Sequence, residues 1–167
     1  EDIDGIRVIR VWTYITANEG FLRRILDYQS FMLSAILAAP FITGVDIVIG
    51  TSPQFFTVCA AYVVALYKRV SFVFELRDIW PESIKAVGAG HDAAWFRWLE
   101  HVELFLYRSA RRIISVTHSF PENLVRRGID RHKIRVVTNG VDVTRFVPRV
   151  RDEPLAAQLG LTGRFVV

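Results

Sequence analysis

Residues 72–82 read Phe-Val-Phe-Glu-Leu-Arg-Asp-Ile-Trp-Pro-Glu. An apolar run stops at Arg77-Asp78, a Trp-Pro pair follows, and Glu82 comes next. A guanidinium can hold a phosphate oxygen through two parallel N–H groups. A carboxylate can orient a hydroxyl. Asp78 and Arg77 are therefore the candidate catalytic pair, with Glu82 beside them as a substrate contact. Each has a plainer reading: Arg77 and Asp78 could cap the next helix, and Glu82 could be a first-turn helix acid. Three other short stretches offer polar groups of the same kind. Thr51-Ser52 brings hydroxyls that could meet a sugar or phosphate, or simply make a capping turn. Thr117-His118 brings an imidazole suited to acid–base work or to a phosphate contact, or a loop histidine facing solvent. Asn139-Gly140 is a turn by its chemistry, since glycine tolerates positive φ.

Each of these stretches follows a short apolar run. Val45 to Gly50, Phe72 to Leu76, Ile113 to Thr117 and Ile134 to Thr138 read as buried strands. An earlier strand is expected over Ile6 to Tyr14. Between the strands lie helical patterns. Leu22 to Leu37 follows three–four spacing, with Asn18 as a cap and Pro40 and Gly44 as the stop. Phe55 to Tyr67 is apolar nearly all round, which predicts a helix buried on most sides. The next helix begins at His91-Asp92, after a Gly88-Ala89-Gly90 break, with a stripe of Trp95, Trp98, Leu99, Val102, Phe105 and Leu106. Ser119-Phe120-Pro121-Glu122 has the form of a capping box, and its helix closes at Arg126-Arg127-Gly128. Alternating strands and helices predict an α/β, Rossmann-like three-layer domain: a mainly parallel sheet with helices on both faces. In such sheets ligands sit beyond the carboxyl ends of the strands, which is where all the candidate residues fall.

The bulk properties agree with that class and exclude others. Half the 167 residues are hydrophobic and about a quarter charged, so the chain is globular and not disordered. No apolar run reaches the roughly 20 residues of a membrane span. The first residues are acidic, unlike a signal peptide. The one cysteine, Cys59, excludes an internal disulfide and reads as a small buried hydrophobe. Four scattered histidines and that cysteine show no ligand spacing, so no metal is expected. Residues 101–151 hold eleven Lys/Arg against four Asp/Glu. That basic stretch invites an anionic partner such as phosphate, nucleotide or an anionic membrane surface. Equally, its charges could be solvated at helix ends.

The order Phe-Glu-Leu-Arg-Asp-Ile-Trp-Pro-Glu-Ser (74–83), Leu-Tyr-Arg-Ser-Ala-Arg-Arg-Ile-Ile-Ser-Val-Thr (106–117) and Lys-Ile-Arg-Val-Val-Thr-Asn-Gly-Val-Asp (133–142) resembles the amino-terminal, acceptor-side domain of family-4 type glycosyltransferases of the GT-B fold. Among these it is similar to bacterial capsule and O-antigen enzymes that transfer acetylated amino-fucose. The resemblance covers nearly the whole chain. It implies two Rossmann-like domains with the active site between them. It also implies an earlier strand and glycine-rich loop that this sequence lacks, and a carboxyl-terminal domain that binds the donor. The expected division is therefore 1–147 for an incomplete amino-terminal domain and 148–167 for a linker and the start of the next. Phe165-Val166-Val167 would open that domain's first strand, and a fragment of this kind should not turn over by itself.

The resemblance further implies a retaining transfer without cofactor or metal, from a nucleotide-sugar held mostly by the second domain. The acceptor would be a lipid-linked or other glycan in surface polysaccharide (lipopolysaccharide) synthesis, at the cytoplasmic face of the plasma membrane, with no nucleic acid partner. Relatives often place a histidine facing the sugar's anomeric centre where this chain has Arg77 and Asp78. Asn139 to Asp142 would approach the interdomain cleft. Two rivals stay open. One is half of a non-hydrolysing sugar-nucleotide epimerase of GT-B fold, which needs other acids and histidines. The other is a basic anion- or membrane-binding module, suggested only by the charge of residues 101–151.

Overall fold

The computed structural model describes residues 1–16, 21–79 and 94–165. Its centre is a four-stranded parallel sheet in the order β3 (Ile47–Thr51), β4 (Ser71–Leu76), β5 (Arg112–Ser115) and β6 (Ile134–Val136). Registers such as Ile47↔Ser71, Val73↔Arg112 and Ile113↔Ile134 bring all four amino ends to one edge. The four strands of the α/β expectation are therefore present. The earlier strand is not present as expected. Only β1 (Asp2–Ile3) and β2 (Ile6–Arg7) pair, as a separate antiparallel hairpin turned through Asp4 and Gly5, both at positive φ. Residues 8–16 have no ladder. Their alternation is only partial, and Thr13 and Tyr14 bond to Asp27 and Ser30 of α1 instead.

The helices are α1 (Phe21–Ala38), α2 (Phe55–Lys68), α3 (Ala94–Ser109), α4 (Phe120–Arg126) and α5 (Glu153–Gln158). A 3-10 turn, Ala39–Phe41, ends α1 at Pro40, where a missing N–H and fixed φ stop a helix. The fold is the expected Rossmann-like α/β arrangement; among the described residues α2, α3 and α4 share one face of the sheet. Tyr62 of α2 meets Phe72 of β4 and Phe105 of α3, at ring-centre distances of 5.8 and 5.2 Å. Tyr107 of α3 lies 4.6 Å from Phe74. Arg127, closing α4, pairs with Glu103 of α3. Consecutive strand order explains this: right-handed crossovers that step one way always land on the same side. The reverse face leaves Ile47 and Ile49 about half exposed.

Phe72, Phe74 and Leu76 supply the covered face, with Ile113 and Ile134 beside them and Val58, Leu99 and Leu106 above. The α3 stripe is rotated from the expected one. Trp98 is 60% and Phe105 49% exposed, while Glu103, Tyr107 and Ala110 are buried. Trp95 and the expected helix start at His91-Asp92 lie outside the residues whose side chains are described, as do Asn18 and the Gly88–Gly90 break.

Gly50 sets how closely α2 sits on β3. A Cβ there would lie 2.7 Å from the Ala61 Cβ and 3.2 Å from the Val58 Cα, closer than side chains approach. Gly50→Ala should therefore cost about 1–3 kcal/mol by overpacking, read as a lower denaturation midpoint with an unchanged m-value. Cys59 lies on the same helix. Burial, partly offset by a backbone hydrogen bond, pushes its thiol up from 9.0 to about 11. A thiol kept neutral when folded but free to ionise when unfolded leaves stability unaffected below its ordinary pKa. Stability should then fall as pH rises from 9 to about 11. Denaturation on either side of that window should show the drop in wild type, and Cys59→Ala should remove it.

Candidate functional site

The carboxyl edge of the sheet collects most of the candidate residues, because each strand ends there and delivers its loop. Ladder bonds extend past the strands: Val116 N donates to the Leu76 carbonyl at 3.2 Å and Val137 N to the Ser115 carbonyl at 2.9 Å. Loops after β3, β4, β5 and β6 are thus held side by side.

Ser52 fastens the first two. Its side chain is buried, and its Oγ accepts from Arg77 N at 2.9 Å and Asp78 N at 3.2 Å. It also lies 3.2 Å from the Asp78 carbonyl, to which it donates. Ser52 N donates to the Glu75 carbonyl at 3.0 Å, continuing the ladder. One hydroxyl therefore fixes the backbone of both candidate catalytic residues. That occupies Ser52 fully, so it positions the loop rather than offering a free group.

Thr51 begins a second connection, made of side chains. Its Oγ1 donates to Glu75 Oε2 at 2.6 Å, and Arg77 Nε donates to Glu75 Oε1 at 3.3 Å. Arg77 Nη2 then donates to Asn139 Oδ1 at 3.2 Å. Thr51, Glu75, Arg77 and Asn139 form a relay across the strand ends, from β3 to the segment after β6. Glu75 is a quarter exposed and Arg77 about half exposed. The guanidinium is aimed by two side-chain acceptors and keeps N–H groups for an anionic ligand. Glu75 is the residue that motif reading missed. Its signal was the alternation Val73, Glu75, Arg77, which puts all three on one side of the strand, level with Thr51 across the ladder.

Asp78 is half-buried beside the buried Ile79. Its carboxylate makes no hydrogen bond to the described residues, unlike its backbone, so it faces them as a free acceptor for a hydroxyl. Thr117 and His118 follow β5 on the same edge but stand apart from the relay. Thr117 Oγ1 pairs with Ser119 Oγ at 2.7 Å, and His118 is exposed. The expected capping box does not form: Ser119 makes no side-chain cap to α4, because its hydroxyl is taken by Thr117. Proline in the first turn and Arg126 in the last are as expected.

Gly140 differs from expectation. Its φ is not positive, a Cβ there would meet nothing within 4 Å, and residues 137–142 make no turn. The turn comes later, at Asp142. The Thr144 hydroxyl at 2.6 Å and the Thr144 N–H at 2.9 Å donate to its carboxylate. These two bonds, the hydroxyl first, hold the exposed Asp142 below the ordinary carboxylate range, and Arg145 N adds a weaker one. Asp142 therefore caps a turn. Glu82 lies outside the described residues.

Among the described residues no group of three or more His, Cys, Asp or Glu side chains could hold a metal ion, and no helix is long and apolar enough to cross a membrane. A cavity of about 480 Å³ is at the other end of the sheet, lined by Leu66, Ser71, Arg111, Arg112 and Lys133 among others. Among the described residues the groups at the carboxyl edge form a separate shelf. A shelf of anion-holding and hydroxyl-orienting groups suits one wall of a cleft that a second surface would close.

The sequence model described as Glycosyltransferase Family 4 matches residues 1–145. No curated protein matches the chain at a significant level.

Proposed function

Since the chain belongs to glycosyltransferase family 4, we propose that its carboxyl-edge shelf is the acceptor-side wall of a retaining glycosyltransferase. The donor is a nucleotide-sugar, bound mainly by a second domain. The acceptor is a lipid-linked or related glycan of a surface polysaccharide, met at the cytoplasmic face of a membrane. The observation that supports this most is the Thr51–Glu75–Arg77–Asn139 relay standing beside Asp78.

In this reading Asp78 orients the acceptor hydroxyl. Arg77, held by Glu75 and Asn139, faces the charge that develops as the bond to the leaving diphosphate opens. Preorganised donors of this kind stabilise a transition state without reorganising during it. The acceptor oxygen forms the new bond on the face that the diphosphate leaves, and its proton passes to a leaving-group oxygen. Thr117 and His118 line the acceptor path from the next loop. The reaction uses no metal or other cofactor.

The test is product analysis with the full-length enzyme, nucleotide-sugars and a membrane-lipid extract. The proposal expects a sugar joined to a lipid-extractable acceptor with the donor's anomeric configuration kept. An inverted linkage would rule out the retaining course. An epimerised nucleotide-sugar with no transfer would favour the epimerase of the same fold.

A further inference from the structure

The Arg77 guanidinium carries five N–H groups in a fixed fork, and the shelf uses two of them. Nε donates to Glu75 Oε1 at 3.3 Å and Nη2 to Asn139 Oδ1 at 3.2 Å. Nε and Nη2 share one side of the planar group, so this side edge is taken. The end edge is different. There one N–H of Nη1 and the second N–H of Nη2 run parallel, and neither meets an acceptor among the described residues. Two oxygens of a phosphate group accept from a parallel pair of that kind.

Orientation and charge act in opposite senses at this group. Glu75 is held on both oxygens, Oε2 by Thr51 at 2.6 Å and Oε1 by Arg77, so it cannot swing aside without giving up a bond. Its charge offsets that of the guanidinium, and Asp78 adds a second carboxylate one residue further on. An anion at the end edge of Arg77 therefore meets one cation and two acids within the same short stretch. Asn139 aims the group from its other nitrogen without adding charge. If tight anion binding were the only requirement, an amide would serve at position 75 as it does at 139.

We propose that Glu75 is a positioning residue that aims the end edge of Arg77 at a diphosphate while keeping its hold on that group weak. An anion bound equally well before, during and after the reaction adds nothing to turnover. A leaving diphosphate held by an uncompensated guanidinium would also be slow to depart. Orientation fixed in advance serves the transition state instead. This role deepens the proposed transfer reaction and rests on it for the identity of the anion. Its first readout is pyrophosphate affinity, which needs no sugar transfer, so the two can fail separately.

The experiment is titration calorimetry of the full-length protein with inorganic pyrophosphate, beside the kcat of sugar transfer. Glu75→Gln keeps size and shape and removes the charge. It should bind pyrophosphate about fivefold more tightly, the effect of losing one unit charge a few ångströms away in a wet setting. It should also turn over at least about tenfold more slowly. With Arg77→Ala also present, the gain in affinity should shrink to less than about twofold, because the two side chains act as a pair. Asn139→Asp, which puts a charge on the other acceptor, should weaken pyrophosphate binding by about fivefold. A merely structural role would instead lose affinity and turnover together, with a lower denaturation midpoint. Pyrophosphate binding that is unchanged or weaker in Glu75→Gln, or a gain that persists in full without Arg77, would overturn the proposal. So would Glu75→Gln turning over at the wild-type rate. The expected affinity changes in a protein that transfers no sugar would support the pairing of Glu75 with Arg77 and count against the transfer reaction alone.

Discussion

Glu103→Ala is expected to cost about 3–5 kcal/mol, a large part of the stability of a domain this size. Glu103 is 2% exposed and accepts from both Tyr107 Oη, at 2.7 Å, and Arg127 Nη2. Arg127 is itself only 17% exposed in its side chain. Removing the carboxylate breaks the ion pair that the buried Arg127 guanidinium makes between α3 and α4, and breaking a buried pair costs far more than a surface pair is worth. The measurement is urea denaturation followed by tryptophan fluorescence. Glu103→Gln should fall between Ala and wild type, because its amide oxygen can still accept one bond. Replacing Glu103 and Arg127 together with apolar residues of similar size should cost less than Glu103→Ala alone. Additive losses would show the pair is not coupled.

Arg77→Ala should reduce turnover by about 10²–10³-fold with little change in stability. The residue is half exposed, so its loss removes little packing, but it carries the only charge of the relay aimed at an anion. Arg77→Lys should rescue poorly. A lysine has one ammonium on a flexible stem and cannot reach Glu75 and Asn139 while keeping a flat face toward substrate. Steady-state kinetics of the full-length enzyme separate the two effects of interest. A fall in kcat at constant KM would place Arg77 in transition-state stabilisation. A rise in KM alone would make it a ground-state anchor.

The sequence revealed the sheet better than its surroundings. β3 to β6 were legible because each is a short apolar, β-branched run closed by polar residues, and tertiary context did not overrule that pattern. Residues 8–14 share some of the composition but pair with no strand among the described residues, and the polar groups of Thr13 and Tyr14 find α1 instead. Which face the helices cover was not legible. It depends on strand order, which local periodicity does not encode. Trp98 and Phe105 misled the reading of α3, because the buried side is shared with a charged residue, Glu103, that only its partners on Tyr107 and α4 make acceptable there.

The site divided in the same way. Positions at strand carboxyl ends were found because loop placement follows from topology. Their roles were harder. Ser52 looked like a ligand group and is instead the clamp on the Arg77–Asp78 backbone. Asp142 is committed to Thr144 and Arg145. Glu75 passed unnoticed inside a strand, since its importance rests on Thr51 and Arg77, twenty-four residues upstream and two residues downstream in the chain.

The proposed role of the shelf in acceptor activation turns on Asp78, whose backbone Ser52 fixes and whose carboxylate faces no hydrogen-bond partner among the described residues. The direct measurement is the kcat of sugar transfer by full-length Asp78→Asn, with its denaturation curve taken in parallel. The substitution keeps size and shape and removes the charge that orients a hydroxyl. Turnover should drop by about 10²-fold or more while the curve stays at the wild-type midpoint. Transfer at the wild-type rate would contradict the assignment of this edge as the site of reaction.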